Sequence, residues 1–308
     1  MSNTVVAILL CTYNGGSYLK AQLDSIANQT HKNWVLWVSD DGSVDDTAQI
    51  IQRFAQQQNA GQVNFIAGPA QGVVKNFLSL ACHGAIAADY YAYCDQDDIW
   101  ESNKLTRSLS YMENEEPDTP ALYCSRTRYI DDDNGTIGLS PLFKRAPGFR
   151  NAIVQNIAGG NTMLFNHAAR VLLQHAGADV AVAMHDWWTY MVVSACGGRV
   201  HYDAQPSLRY RQHGNNVIGM NTGWAARRDR IGLLWKGRFQ GWMSNHLVAL
   251  DALQDHLTPD SRQVLACLAQ GRQAGVMGRV WMLVRSRVYR QTLLGNLGLV
   301  AAAALNKI

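Results

Sequence analysis

The chain has 308 residues, 47% of them hydrophobic, which is enough to bury a full enzyme core as one large domain or one domain with a smaller appendage. Its six cysteines are scattered without a Cys-x-x-Cys pair, and no His-Glu-x-x-His occurs. This argues against a zinc site or a disulfide framework and for reduced thiols in a cytosolic compartment. The net charge of +3 hides an imbalance: residues 1–222 carry 15 Lys/Arg against 20 Asp/Glu, whereas residues 223–308 carry 12 against 4, so the two parts stand at -5 and +8 and attract opposite partners.

In chain order, the first residues lack the basic start of a signal peptide, and Val5 to Leu10 is an apolar run of strand length. Trp34 to Val38, Val63 to Ala67 and Tyr90 to Cys94 repeat it. Between them lie helical patterns. Ser17 is placed to cap a helix with Leu19, Leu23 and Ile26 on one stripe, and Asp45 and Asp46 suit the start of a helix carrying Ile50, Ile51 and Phe54. Strand alternating with helix predicts a parallel α/β sheet, and ligands of such sheets bind at the carboxyl ends of the strands. Those ends are Cys11-Thr-Tyr-Asn-Gly-Gly16, Ser39-Asp-Asp-Gly-Ser43 and Asp95-Gln-Asp-Asp98.

The fourth strand breaks abruptly into Asp95, Asp97 and Asp98. Carboxylates so close repel one another, and Asp95 and Asp97, two apart on an extended segment, turn toward the same side, a pattern suited to a hard ion such as Mg2+ or Mn2+. A solvated acidic loop capping the next helix is the better explanation of a bare Asp-x-Asp; the convergence of three polar clusters on one edge favours function. Thr12, Tyr13 and Asn14 offer polar groups beside a glycine pair, and Asp40 and Asp41 offer acceptors to a base or ribose. No Gly-x-Gly-x-x-Gly and no Walker loop occurs, so dinucleotide redox enzymes and P-loop NTPases are disfavoured.

The run from Ala7 to Gly16, Val38-Ser-Asp-Asp-Gly-Ser-Val-Asp-Asp46 and Tyr93-Cys-Asp-Gln-Asp-Asp-Ile-Trp100 together resemble the family 2 inverting glycosyltransferases. The likeness extends over residues 1 to about 220, and His185-Asp-Trp-Trp188 with Tyr210-Arg-Gln-His-Gly-Asn-Asn216 is most similar to bacterial rhamnosyltransferases of cell-surface polysaccharide synthesis. The resemblance implies a GT-A fold, meaning a Rossmann-like, mostly parallel sheet flanked by helices, over residues 1–222, followed by a basic, mainly helical region over residues 223–308. It also implies a nucleotide-diphosphate sugar donor, dTDP-rhamnose among the candidates, a saccharide or lipid-linked saccharide acceptor, and Mg2+ or Mn2+ as cofactor.

Carried over by resemblance, Thr12, Tyr13, Asn14 and Asp40 hold the nucleoside, Asp95 faces ribose and metal, Asp97 is the main metal ligand, and Lys104 joins the donor-binding set. Asp98 either shares the metal or caps the helix containing Lys104. His213 sits where relatives place a late metal or diphosphate ligand, or is a surface imidazole. Arg209 and Arg211 alternate with Tyr210 and either present two guanidiniums to the diphosphate or are solvated. Asp186, just before the apolar segment Trp187 to Val193, is the candidate general base, with helix capping as its alternative. Trp187 and Trp188 are candidates to stack on an acceptor sugar, with at least one expected in the core. The processive synthases of the family carry membrane spans and a Gln-x-x-Arg-Trp motif; this chain has neither, so one sugar per encounter is expected. A sugar nucleotidyltransferase is disfavoured because Cys11 to Gly16 lacks that class's Arg- and Lys-containing glycine loop.

Toward the end, Arg279, Arg285, Arg287 and Arg290 lead into an apolar run from Leu293 to Leu305, too short to span a bilayer. Binding to anionic lipid on the inner face of the bacterial cytoplasmic membrane is one expectation, and a helix packed on the catalytic domain or on a second subunit is the other. No nucleic-acid-binding fold is recognised.

Overall fold

In the computed structural model, which describes residues 3–212 and 238–308, strands β1 (Val6–Thr12), β2 (Trp34–Asp40), β3 (Val63–Ala67) and β4 (Tyr90–Cys94) pair in parallel in the spatial order β4-β1-β2-β3. The strand β1 is apolar from Val6 to Cys11 because it is covered on both faces. Val6, Ile8 and Leu10 enter a core with Leu19, Leu23 and Ile26 of α1 (Leu19–Ala27) and Ile51 and Phe54 of α2 (Thr47–Ala55). Ala7, Leu9 and Cys11 enter a second core with α3 (Val73–Cys82). The short β5 (Ile99–Trp100) and α4 (Lys104–Met112) follow the acidic run.

The predicted caps differ in detail. Tyr18 rather than Ser17 precedes α1, and Asp45, two residues ahead of α2, accepts from Thr47 N at 3.1 Å while its other oxygen accepts from Gly16 N at 2.9 Å. One carboxylate thereby ties the first loop to the second helix.

Beyond α4 come β6 (Ala121–Ser125), β7 (Arg128–Ile130), β8 (Thr136–Leu139), α5 (Phe149–Ala152), a 3-10 turn over Gly160–Thr162, β9 (Leu164–Asn166), α6 (His167–Ala176), α7 (His185–Ala195), β10 (Arg199–Asp203) and β11 (Leu208–Arg211). They extend the main sheet to seven strands in the order β10-β6-β9-β4-β1-β2-β3, with β9 antiparallel to both neighbours. A second sheet, β5-β11-β7-β8, sets β11 beside the end of the acidic run. Helices α8 (Arg238–Asp251), α9 (Pro259–Arg272), α10 (Val276–Ser286) and α11 (Leu293–Ala304) pack on the sheet face that carries α3, α6 and α7. Phe239, Leu250, Leu268, Met282 and Leu299 share one continuous core with Leu9 and Tyr93. The expected boundary at residue 222 lies outside the described residues.

Candidate active site

The parallel register aligns three loops. Thr12 is opposite Asp40 across β1 and β2, and Leu10 is opposite Cys94 across β1 and β4, so the residues after Thr12, Asp40 and Cys94 emerge at one edge. There the first two loops satisfy one another. Asp40 accepts from the Thr12 hydroxyl at 2.7 Å, from Ser43 N at 2.8 Å and from the Ser43 hydroxyl at 2.5 Å. Asn14, with φ of 48°, donates its backbone N–H to Ser43 Oγ and accepts from Val44 N. Asp41 is buried and accepts from Ala70 N and Gly72 N, each at 2.7 Å, so it organises the loop after β3 and is not free for a nucleoside. Thr12, Asn14 and Asp40 are thus brought together as expected, while the Tyr13 ring stands 59% exposed over the edge. Gln96 locks the loops to each other: its side chain accepts from Tyr13 N at 2.9 Å and donates to Tyr13 O at 3.0 Å. It was not singled out in the sequence, although its place between two aspartates could have marked it.

The acidic run splits into two roles. Asp95 and Asp97 remain partly accessible, whereas Asp98 is fully buried. Asp98 accepts from the Asn161 side-chain amide and, at 3.2 Å, from Arg211 N. Burial first, then Asp97 and Asp95, push its carboxyl well above the ordinary range. It neither faces the cleft nor caps α4, which Asn103 precedes. Asp95 is pushed up to about 8 by burial, then by the charges of Asp97 and Asp186, both negative. Two carboxylates held together with a third carboxylate as the neighbouring charge form an all-oxygen, anionic set that fits a hard divalent cation. Among the described residues no three Asp, Glu, His or Cys side chains already converge as a complete metal site. Asp95 and Asp97 would therefore contribute ligands to be completed by phosphate oxygens and water, as is usual for Mg2+. His213 lies outside the described residues.

Opposite this loop is Asp186, buried in the first turn of α7, where Met184 rather than Asp186 occupies the cap position. It accepts from Trp187 N at 2.5 Å and from Gly160 N at 3.1 Å, and the Asn156 side chain also bonds to it. Burial outweighs these bonds and raises its carboxyl to about 6. The Gly160–Asn161 turn therefore touches both acidic groups: Gly160 holds Asp186 and Asn161 holds Asp98. A Cβ on Gly160 would run into the buried His185 ring, itself stacked on Phe77 at 3.9 Å between centroids and depressed to about 3 by burial, hence neutral. The glycine pair Gly159-Gly160 just ahead of β9 is the sequence signal for this turn.

Several expected contacts are not made. Lys104 is fully buried, its ammonium 4.0 Å from the centre of the Trp100 ring without a hydrogen-bond partner, and burial lowers it to about 7. The apolar face of α4 draws it inward, away from any donor. Arg211 is buried and bonds to Asp97 O, Asp131 O, Asp132 O and Asn134 Oδ1, stacking on Tyr18. Arg209 pairs with Glu101 at 3.2 Å in a groove lined by Asp24 and Trp100. Pairing of β11 with β5 and β7 brings Glu101 to Arg209 and the 131–134 turn to Arg211, so both guanidiniums have protein partners. Trp187 and Trp188 both belong to the core; Trp187 donates to Ala152 O at 2.6 Å and packs on Phe239, Trp242 and His246, so neither is available to stack on a sugar.

Residues 7–173, which carry all of the first three loops and the Gly160 turn, match the model of "Glycosyl transferase family 2". The chain belongs to that family. It is therefore a glycosyltransferase, and its curated relatives agree: "dTDP-rhamnosyl transferase RfbG" of Shigella flexneri is 27% identical over 73% of this chain and 78% of that protein. The "UDP-Glc:alpha-D-GlcNAc-diphosphoundecaprenol beta-1,3-glucosyltransferase WfgD" of Escherichia coli is 32% identical over 36% of this chain and 42% of that protein. Among solved structures, Staphylococcus aureus TarS 1-349 in complex with UDP-GlcNAc superposes with a TM-score of 0.59 at 14% identity, covering 99% of this chain and 89% of that one. The mannosyltransferase PcManGT from Pyrobaculum calidifontis, in complex with GDP-Man and Mn2+, gives 0.52 at 15% identity, covering 99% and 86%. At such identities these structures establish the GT-A fold of this family 2 member.

Proposed function

We propose that this chain is a metal-dependent, inverting, nonprocessive glycosyltransferase that moves one sugar, rhamnose from dTDP-rhamnose, to a saccharide or lipid-linked saccharide acceptor at the cytoplasmic face of the bacterial membrane during cell-surface polysaccharide synthesis. The observation that carries this reading is the closeness of Asp186 to Asp95, with Gly160 holding Asp186 and the adjacent Asn161 holding Asp98 of the same acidic run. The similarity to a dTDP-rhamnosyl transferase supports the choice of donor.

The nucleoside binds over the edge formed by Tyr13 and the Thr12–Asn14–Asp40 network, with the Tyr13 ring positioned to cover the base. Asp95 and Asp97 would hold Mg2+ or Mn2+, whose charge would offset that growing on the departing diphosphate. Asp186 takes the proton of the acceptor hydroxyl as the new C1–O bond forms and the C1–O bond to the diphosphate breaks on the opposite face. With its carboxyl near 6 it is ionised at neutral pH yet more basic than a solvated aspartate, the compromise a general base needs. No covalent sugar–enzyme intermediate is required.

The test is a donor screen: protein, Mn2+, and dTDP-rhamnose, UDP-glucose or GDP-mannose are incubated with and without acceptor saccharides, and nucleoside diphosphate release is measured. Release from dTDP-rhamnose with an inverted anomeric product supports the reading. Pyrophosphate release, retention at the anomeric carbon, or preference for another donor by tenfold or more would each overturn the corresponding part.

A further inference from the structure

We propose that helices α10 and α11 form one docking face for an anionic phospholipid surface, an inference that rests on the membrane-side acceptor just described. Along α10, Met277, Trp281 and Val284 recur at helical spacing and are 87%, 64% and 59% exposed; along α11, Leu293, Leu297 and Val300 do the same at 77%, 58% and 42%. The inward sides of the same helices are already used, with Met282, Leu283, Leu299, Ala302 and Ala303 in the core. Each helix is thus apolar on two sides, whereas a water-facing helix would carry its charges on the outer one.

Charge selects the occupant. Residues 261–308 contain seven Lys/Arg and no Asp or Glu. Arg285, one turn beyond Trp281, and Arg287 are exposed beside the apolar stripe. A second copy of this chain would bring like charge to the same face, while anionic headgroups neutralise it. Arg279 points the other way, donating to Ala303 O at 2.9 Å and Ala304 O at 3.1 Å, so it clips the two helices into one unit. With 11 and 12 residues they reach about 16–18 Å, too short to cross a bilayer and suited to lying in its interface.

The face also has a fixed relation to the base. In the segment joining the helices, Tyr289 N donates to Arg150 O at 3.1 Å, Asn151 donates to Tyr289 O at 3.0 Å and Gln291 N donates to Gln155 Oε1 at 2.8 Å. The next residue, Asn156, bonds to Asp186. A lipid-linked acceptor held at the docked surface would meet the cleft from the side of the base.

Flotation of the full chain with vesicles of phosphatidylglycerol and phosphatidylethanolamine, against phosphatidylcholine alone, tests this. The expected result is co-flotation with the anionic vesicles, reduced about tenfold on phosphatidylcholine or in high salt. Trp281→Glu combined with Leu297→Glu should lower binding about tenfold, and Arg285→Glu with Arg287→Glu should lower it on anionic vesicles while leaving every apolar residue in place. Mn2+ binding by calorimetry and the melting temperature should stay unchanged in both. Absence of wild-type flotation, equal flotation of the variants, or a vesicle-indifferent dimer that these variants split would overturn the proposal, the last assigning the face to a second copy. Vesicle binding by a protein that ignores Mn2+ would instead count against the catalytic reading and leave the docking face standing.

Discussion

The two sides of the cleft solve opposite problems. On the nucleoside side nearly every polar group is matched: Asp40 binds Thr12 and Ser43, Asp41 binds two backbone N–H groups, and Gln96 staples the loops together. On the side of the proposed chemistry, burial and the charges of Asp97 and Asp186 raise Asp95 to about 8, and Asp186 is buried deeply enough to lie near 6. A saturated network gives a rigid platform, whereas buried carboxylates set close together repel one another, and a cation or a proton relieves that repulsion. The contrast separates carboxylates that build the edge from those to which the proposed function assigns the chemistry.

Removing Asp186 should break the catalytic side most sharply. Asp186→Asn keeps an acceptor for Gly160 N but no base, so sugar transfer should fall by about 10²- to 10⁴-fold while calorimetric donor affinity stays within about twofold. The amide has one oxygen where the carboxylate has two, so one of the Gly160 and Trp187 N–H groups loses its acceptor and stability should fall by about 1–3 kcal/mol. The folded carboxyl titrates near 6 against an ordinary value of 3.8, so the folded chain holds the extra proton between those values, and this group costs stability as pH rises through that window. The gap in melting temperature between wild type and variant should therefore narrow as pH rises through that window; a gap indifferent to pH would contradict the raised carboxyl.

Asp97→Ala should weaken Mn2+-dependent donor binding by roughly 10- to 100-fold, with little change in donor binding measured in chelator. Equal losses with and without metal would remove the distinction between the two sides. Asn161→Ala leaves buried Asp98 without its amide partner and should lower unfolding free energy by about 1–3 kcal/mol, read by urea titration. Because the same turn carries Gly160, transfer should fall as well. The pH profile of transfer should rise to a plateau with a midpoint near 6 as Asp186 ionises, and Asp186→Glu should shift that midpoint rather than abolish it. The smallest change is expected from Lys104→Met: its ammonium is buried without a hydrogen-bond partner, so donor affinity should be untouched and stability equal or higher. A marked loss of donor binding would return Lys104 to the site.

The four parallel strands and the helices between them were legible because apolar runs and helical stripes are local patterns, and the three polar clusters were legible because strand ends in a parallel sheet must share an edge. The surroundings of Arg209, Arg211, Lys104 and the two tryptophans were not legible: spacing and resemblance left the guanidiniums between diphosphate and solvent and the tryptophans between acceptor sugar and core. Alternation says which side of a strand a residue lies on, but Glu101, Asn134 and the Trp100 ring, which capture these side chains, are separated from them along the chain or hidden by burial.

By itself the order of residues determined the family and the four parallel strands, since each depends on short contiguous motifs. Only the tertiary structure decided that Asp98 turns inward to Asn161, that Gly160 holds Asp186 near Asp95, and that α10 and α11 each leave an apolar stripe exposed. Those outcomes depend on residues tens of positions apart competing for the same buried space and the same hydrogen-bond donors, and no local pattern records who wins.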